Sequence, residues 1–305
     1  LPNNSKKTAS SKKPNKTFLL GVGCQKGGTS WLHSYLHSHP NGDFGLMKEY
    51  HVLDVLFSPY NERFLKRRLR KLNKYIGQLI NGTLNQAEMA SHDAGIRDIK
   101  LVGFYQNIEN YYDYFDELYE KSADTTLVGD ITPAYAALTS EDLRTVKEAL
   151  EARGFDVKVI FLMRDPIDRN YSASRMEIRD RLSKGKKVKK TANEMFTTKL
   201  TDIGAKDRTN YPMTINNLEA VFDPDNIHFG FFEDLFTDAE VKKITDFLGI
   251  EYVEADFGNL VNASPRTEDL SQENIEKART LFASTYDFIA KKFPEKDIKT
   301  LWKNM

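Results

Sequence analysis

Three stretches of the chain gather side chains suited to chemistry. The first, GVGCQKGGTSWL, runs from Gly21 to Leu32. Its glycines let backbone amides approach an anion closely, and amides at a helix start point toward one with the help of the helix dipole. Lys26 adds a mobile positive charge, and Thr29 and Ser30 add hydroxyl donors. The second, FLMRDPIDRNYSASR, runs from Phe161 to Arg175. Arg164 stands just past the carboxyl end of an apolar run, where ligands bind in open parallel sheets. Ser172 follows about two turns into a helix that starts near Pro166, and an arginine fork with a hydroxyl suits a phosphate. The third, Met47 to Asp54, reads MKEYHVLD and holds Glu49 between Lys48 and His51. Glu49 is the candidate general base and His51 its competitor, with His92, in a polar stretch, a third candidate. A glutamate there would need apolar or acidic neighbours to raise its pKa into a useful range.

The elements that must carry these residues follow from periodicity. TFLLGVG (Thr17 to Gly23) predicts a buried strand, and Trp31, Leu32, Tyr35 and Leu36 predict a helix over Thr29 to His39. Thr125 to Val128 predicts a short strand ending in the loop GDITP, Gly129 to Pro133. DVKVIFLM, Asp156 to Met163, predicts the central strand, with Pro166 opening the next helix, and NIHFGFF, Asn226 to Phe232, predicts a late strand. Helices are predicted over Asn107 to Tyr119, from Ser140 to Gly154, before Gly249, and over 271–293. Residues 61–76 predict a basic amphipathic helix with Phe64, Leu65, Leu69, Leu72 and Ile76 on one face. Strands alternating with helices predict a single α/β domain with a central, mostly parallel sheet flanked by helices, a P-loop-like nucleotide-binding fold.

Composition narrows the field. Lysine plus arginine and aspartate plus glutamate both number 44, so no global basic field points to nucleic acid. The one cysteine, Cys24, precludes an internal disulfide and favours a reducing compartment, the cytoplasm; an anchor upstream of Leu1 would lie outside the sequence. Residues 1–16 read as a disordered polar tail and no apolar run is long enough to span a bilayer. No cluster of metal-ligating residues stands out, so no metal is expected. Charge is concentrated locally in RDRLSKGKKVKK, Arg179 to Lys190, either a solvated loop or a lid over an acidic substrate, which with Arg67, Arg68 and Arg70 would form a positive cleft.

The glycine turn is neither a Walker A loop, because Lys26 precedes Gly27 and Gly28, nor GxGxxG, because Lys26 takes the place of the third glycine. Gln25 to Trp31 instead resembles the 5'-phosphosulfate loop of sulfotransferases that use 3'-phosphoadenosine 5'-phosphosulfate (PAPS), whose form is Pro/Gln-Lys-x-Gly-Thr-Thr/Ser. Arg-Asp-Pro-x-x-Arg-x-Tyr-Ser, Arg164 to Ser172, resembles that family's 3'-phosphate motif. The resemblance covers nearly all of residues 17–293, least over 55–98, where a basic helical insertion is expected in a domain spanning 17–305. It implies that Lys26, Gly27, Gly28, Thr29, Ser30 and Trp31 hold the 5' side of PAPS and Arg164 and Ser172 its 3'-phosphate, with Lys26 countering charge on the leaving oxygen. Arg266, in Asn262 to Arg266, matches a loop that folds over the nucleotide. Lys48 to Asp54 resembles the Lys-Glu-x-His-Phe-Phe segment of carbohydrate sulfotransferases of the heparan sulfate type, which implies Glu49 as base and a glycan or other small or acidic hydroxyl acceptor. Val52 and Leu53 depart from the aromatic pair. Gly129 to Tyr135 resembles a substrate-side loop, implying Lys48, His51, Asp130 and Tyr135 as acceptor contacts and adenosine 3',5'-bisphosphate as the leaving product. Two rivals predict different behaviour: a P-loop nucleotide phosphotransferase binds ATP with Mg²⁺, and a non-catalytic polyanion-binding module is indifferent to loss of Glu49. The sequence does not specify an oligomeric state.

Overall fold

A computed structural model describes residues 16–58, 62–83, 93–258 and 268–305. Five strands, β1 (Thr17–Gly23), β2 (Gly42–Asp43), β3 (Leu127–Ile131), β4 (Asp156–Met163) and β5 (Ile227–Phe231), form one parallel sheet in the order β2-β3-β1-β4-β5. β1 is buried at every position, as its unbroken apolar run requires of a strand covered on both faces. Alternate side chains enter different layers. Phe18, Leu20 and Val22 join the larger core with Val159 and Phe161. Leu19 joins Leu162, Trp31, Leu36, Val241 and Leu248 in the smaller core on the opposite side.

β1 and β4 and the helix Thr29–Ser38 agree with the sequence reading. β3 does not stop at Val128. It runs on through Gly129, Asp130 and Ile131, residues that look like a turn in sequence. Gly129 pairs with Leu19 on β1, and a Cβ there would collide with the Leu19 carbonyl oxygen. Asp130 is tolerated in the sheet because three hydroxyls satisfy its carboxylate. Among the described residues of 55–98 lie the helix Glu62–Ile80 and the start of the helix Asp93–Gln106, joined by an Arg68–Asp98 ion pair of 2.7 Å. No helix among the described residues is long and apolar enough to cross a membrane.

The helix Pro166–Leu182 is fixed at its start by Asp165. Its buried carboxylate accepts from the amides of Ile167 (2.8 Å) and Asp168 (3.3 Å), from the Tyr286 hydroxyl (3.0 Å), and from Asn304 backbone and side-chain nitrogens (both 3.1 Å). Asp165 N donates to Glu233 Oε1 (3.2 Å), and Glu233 Oε2 accepts from the buried Trp302 indole (3.1 Å). Asp165 is thus a helix cap tied to the far end of the described chain, and it is not a partner for Arg164. Asp165→Ala removes the cap and orphans several buried donors, so unfolding in urea should show a loss of about 2–4 kcal/mol. A loss under about 1 kcal/mol would mean that the clasp contributes little.

Candidate active site

Parallel strands direct their carboxyl ends to one edge of the sheet. The chain leaves β1 toward β2 and leaves β4 toward β5, so a crevice opens between the ends of β1 and β4. The register of this pair shifts between Gly21 and Gly23. Beyond it, Cys24 N donates to Leu162 O (2.5 Å) and Arg164 Nη1 donates to the Lys26 carbonyl (3.1 Å). The two sequence motifs are therefore joined directly.

Gly28 precedes the helix Thr29–Ser38 with φ 92°, and a Cβ there would collide with the Leu235 side chain. Among the described residues no backbone carbonyl takes the amide of Gly28 or Thr29, so both head the helix open to an anion. Lys26 (φ 70°) and His51 (φ 55°) are the non-glycine residues with left-handed backbone among those described. Each costs about 1–3 kcal/mol, and such strain gathers at functional sites. Both lie here.

Arg164 stacks on Phe232 at 4.1 Å, and its buried Nε has no hydrogen-bond partner. Ser172 is buried on the Pro166–Leu182 helix, where Arg175 and Arg179 follow at spacings of three and four on the same face. Sequence reading missed Arg175 and treated Arg179 only as part of a charge block; the 172, 175, 179 spacing was the available signal. Burial and then the charges of Arg179, Arg164, Arg175 and Lys48 lower the Lys26 pKa to about 8. Five cations thus converge on the glycine turn. The rest of the block diverges: Arg181 pairs with Glu177 (2.5 Å) and Lys190 donates to Thr198 (2.9 Å).

Glu49 faces this cluster. One carboxylate oxygen pairs with Lys48 Nζ, which also reaches Thr29 Oγ1 (3.3 Å); the other lies 3.4 Å from His51 Nε2. His51 Nδ1 lies 3.0 Å from Asp54 Oδ2, so Glu49, His51 and the buried Asp54 form a row. Asp54 was not singled out in the sequence; its place five residues after Glu49 was the only sign. Burial opposes ionisation of Glu49, yet His51 and Lys48 more than offset it and bring its pKa to about 2. This is the reverse of the raised pKa expected of a base in its resting state. Burial likewise disfavours charge on His51, but hydrogen bonds to Asp54 and Glu49 win and raise it to about 9.

Several expected contacts are placed elsewhere. Asp130 and Tyr135 are fully buried, and their polar atoms are committed to internal hydrogen bonds. Asp130 accepts from Thr132 (2.6 Å), Tyr111 (3.0 Å) and Tyr135 (2.5 Å). Thr132 Oγ1 accepts from Tyr50 N (3.0 Å), and the Tyr135 hydroxyl accepts from Val52 N (3.2 Å). Both residues therefore support the Glu49–His51 backbone from below. Burial raises the Asp130 pKa to about 6 against the pull of those hydroxyls. The Trp31 ring is committed to the core, stacked on Tyr35 at 5.6 Å, and its amide donates to the Gly28 carbonyl. Arg70 donates to the Lys66 carbonyl away from Arg67 and Arg68, which line a cavity with Glu49. Arg266 and His92 lie outside the described residues. Among the described residues no group of three His, Cys, Asp or Glu is arranged to hold a metal ion.

The fold is that of known sulfotransferases. A sulfotransferase crystal structure from Alicyclobacillus acidocaldarius superposes with TM-score 0.57 at 16% identity, covering 94% of this chain and 98% of that one. A Mycobacterium avium sulfotransferase gives TM-score 0.44 at 11% identity, over 91% of this chain and 77% of that one. No curated protein matches the sequence. The sulfotransferase domain model matches residues 15–305, and the chain belongs to that family.

The row Glu49–His51–Asp54 has a consequence for pH. A histidine whose folded pKa is raised from about 6.5 to about 9 adds stability that is fully present below pH 6.5 and lost as pH rises through 9. In an NMR titration the His51 ring should remain protonated through pH 8. Asp54→Asn should lower its midpoint by more than one pH unit. A wild-type midpoint near 6.5 would show that the row does not form.

Proposed function

We propose that the chain is a PAPS-dependent O-sulfotransferase in which Glu49 is the base. The observation that carries the reading is the convergence of Lys26, Lys48, Arg164, Arg175 and Arg179 on a glycine turn with open helix-start amides, beside one carboxylate. Burial and then repulsion from the neighbouring cations lower the Lys26 pKa, so a polyanion at the turn relieves part of a cost that the folded protein bears alone. The unpartnered Nε of Arg164 is a donor awaiting an acceptor of the kind a terminal phosphate supplies.

The donor contributes an activated sulfur whose leaving group is the 5'-phosphate oxygen of adenosine 3',5'-bisphosphate. The chain does the rest. Lys26, the amides of Gly28 and Thr29, and the hydroxyls of Thr29 and Ser30 hold the 5' side, and Arg164 and Ser172 hold the 3'-phosphate. Lys26 offsets charge on the leaving oxygen as the sulfur–oxygen bond to phosphate breaks. Glu49 takes the proton from the acceptor hydroxyl as its oxygen bonds to sulfur. Against burial, the hydrogen bond from His51 and then Lys48 hold Glu49 at a pKa of about 2, too weak a base in the resting site. Lys48 already spans Glu49 and Thr29, so a donor at the turn draws Lys48 away and removes one of the two cations, Lys48 and His51, that weaken the base. The acceptor is a hydroxyl compound, a carbohydrate by the likeness of Lys48–Asp54 to its counterparts.

Calorimetric titration with adenosine 3',5'-bisphosphate, without added metal, tests the donor site. Wild type should bind, and Arg164→Ala should weaken binding by about 10- to 100-fold, the worth of a charge-assisted fork. Glu49→Gln should leave that affinity within about threefold while transfer of ³⁵S from labelled PAPS falls by about 10²–10⁴-fold. Binding of ATP–Mg²⁺ in place of the bisphosphate would move the chain to the phosphotransferases.

A further inference from the structure

Glu49 lines a cavity of about 340 Å³ together with Arg67, Arg68 and Lys71 of the helix Glu62–Ile80. That volume lies at the small end of the range for small-molecule sites and is too small for more than about one sugar-sized group. Its charged lining is Lys48, Glu49, His51, Arg67, Arg68 and Lys71. Most of this charge is internally matched: Lys48 pairs with Glu49, His51 with Asp54, and Arg68 with Asp98. Arg67 and Lys71 are the exceptions. They stand at positions i and i+4, on one face of the helix, and among the described residues no acid pairs with either. The cavity therefore carries a surplus of two positive charges on the side facing the base.

From this juxtaposition we infer that the acceptor is an acidic hydroxyl compound, whose carboxylate or sulfate group sits on Arg67 and Lys71 while its hydroxyl reaches Glu49. The inference rests on the donor reading above and adds the substrate class. The geometry gives the anion a positioning role. Anchored on the helix, it holds the hydroxyl at the fixed carboxylate, which converts a chance encounter into an oriented one. The same two cations penalise a neutral acceptor, because occupation of the cavity would strip them of water without replacing it by a counter-charge. The anion seat is distinct from the donor cations: Arg67 and Lys71 lie on the Glu62–Ile80 helix, whereas Arg164, Arg175 and Arg179 follow β4.

Matched acid and amide acceptors provide the test: glucuronate with glucuronamide, 4-hydroxyphenylacetate with its amide, and 4-(hydroxymethyl)benzoate with its amide. Each is assayed for ³⁵S transfer from labelled PAPS, and bisphosphate affinity is measured on the same preparations. At least one acid should exceed its amide by about tenfold or more in kcat/KM, with a KM that rises with ionic strength. In Arg67→Gln/Lys71→Gln that preference should fall toward one while bisphosphate affinity is held. These exposed helix positions tolerate glutamine, so loss of fold does not confuse the result. Amides matching or exceeding acids, a preference unchanged in the double variant, or no acid turned over by protein that binds the bisphosphate would each overturn the inference while leaving the donor site standing. Failure of wild type to bind the bisphosphate would overturn both.

Discussion

The site depends on the pairing of β1 with β4. Parallel strands joined through helices present their loops at one edge, but only neighbours in the sheet bring two loops within hydrogen-bond reach. β1 lies between β3 and β4 in the sheet. The turn after β1 supplies Lys26 and the open amides; the residue after β4 supplies Arg164, and its guanidinium touches the Lys26 carbonyl. The register shift near Gly23 ends regular pairing and turns the backbone so that Cys24 N meets Leu162 O. A sheet with these strands separated would keep both motifs and lose the site.

Electrostatics pull against this arrangement. Burying Lys26 and packing four more cations around its turn raises the energy of the folded chain, as the depressed Lys26 pKa shows. The cost is tolerated because the support beneath is unusually well satisfied. Asp165 accepts five hydrogen bonds, and Glu233, pushed by burial to about 7, bridges Asp165 and Trp302. Asp165 and Glu233 thus serve as fixed acceptors behind the site, with Glu233 near enough to feel the Arg164 charge. Wholly buried Arg169 extends the same field from behind, with Nη2 bonded to Asn170 and the Ala205 carbonyl.

What was legible in the sequence was local. Apolar runs marked β1 and β4, and the sequence neighbours of Lys26 and Arg164 marked the turns that follow them. What was hidden depended on partners distant in sequence. Gly129–Asp130–Ile131 read as a loop because glycine and aspartate disfavour strands on their own; Leu19, Tyr111 and Tyr135 reverse that preference. Arg175 and Arg179 were hidden for a different reason: their relevance lies in the face they share with Ser172, visible only once the helix is known to run unbroken from Pro166 to Leu182. The lowered Glu49 pKa was hidden because it is decided by the side chains that flank it, Lys48 and His51, whose directions a sequence does not give.

Glu49 and the glycine turn hang from different supports. Glu49 and His51 sit on a segment whose amides at Tyr50 and Val52 are held by Thr132 and Tyr135, and both hydroxyls converge on Asp130 at the end of β3. The glycine turn hangs from β1 and β4. Lys48 spans the two, with Glu49 on one side and Thr29 on the other. The backbone around Glu49 is held by a buried carboxylate network and the glycine turn by backbone bonds, so neither main-chain segment drifts toward the other. The adjustable element between them is a flexible lysine side chain. In the proposed reaction one ammonium shifts from a carboxylate to a polyanion while His51 stays beside Glu49, a change of side-chain geometry that leaves both supports in place.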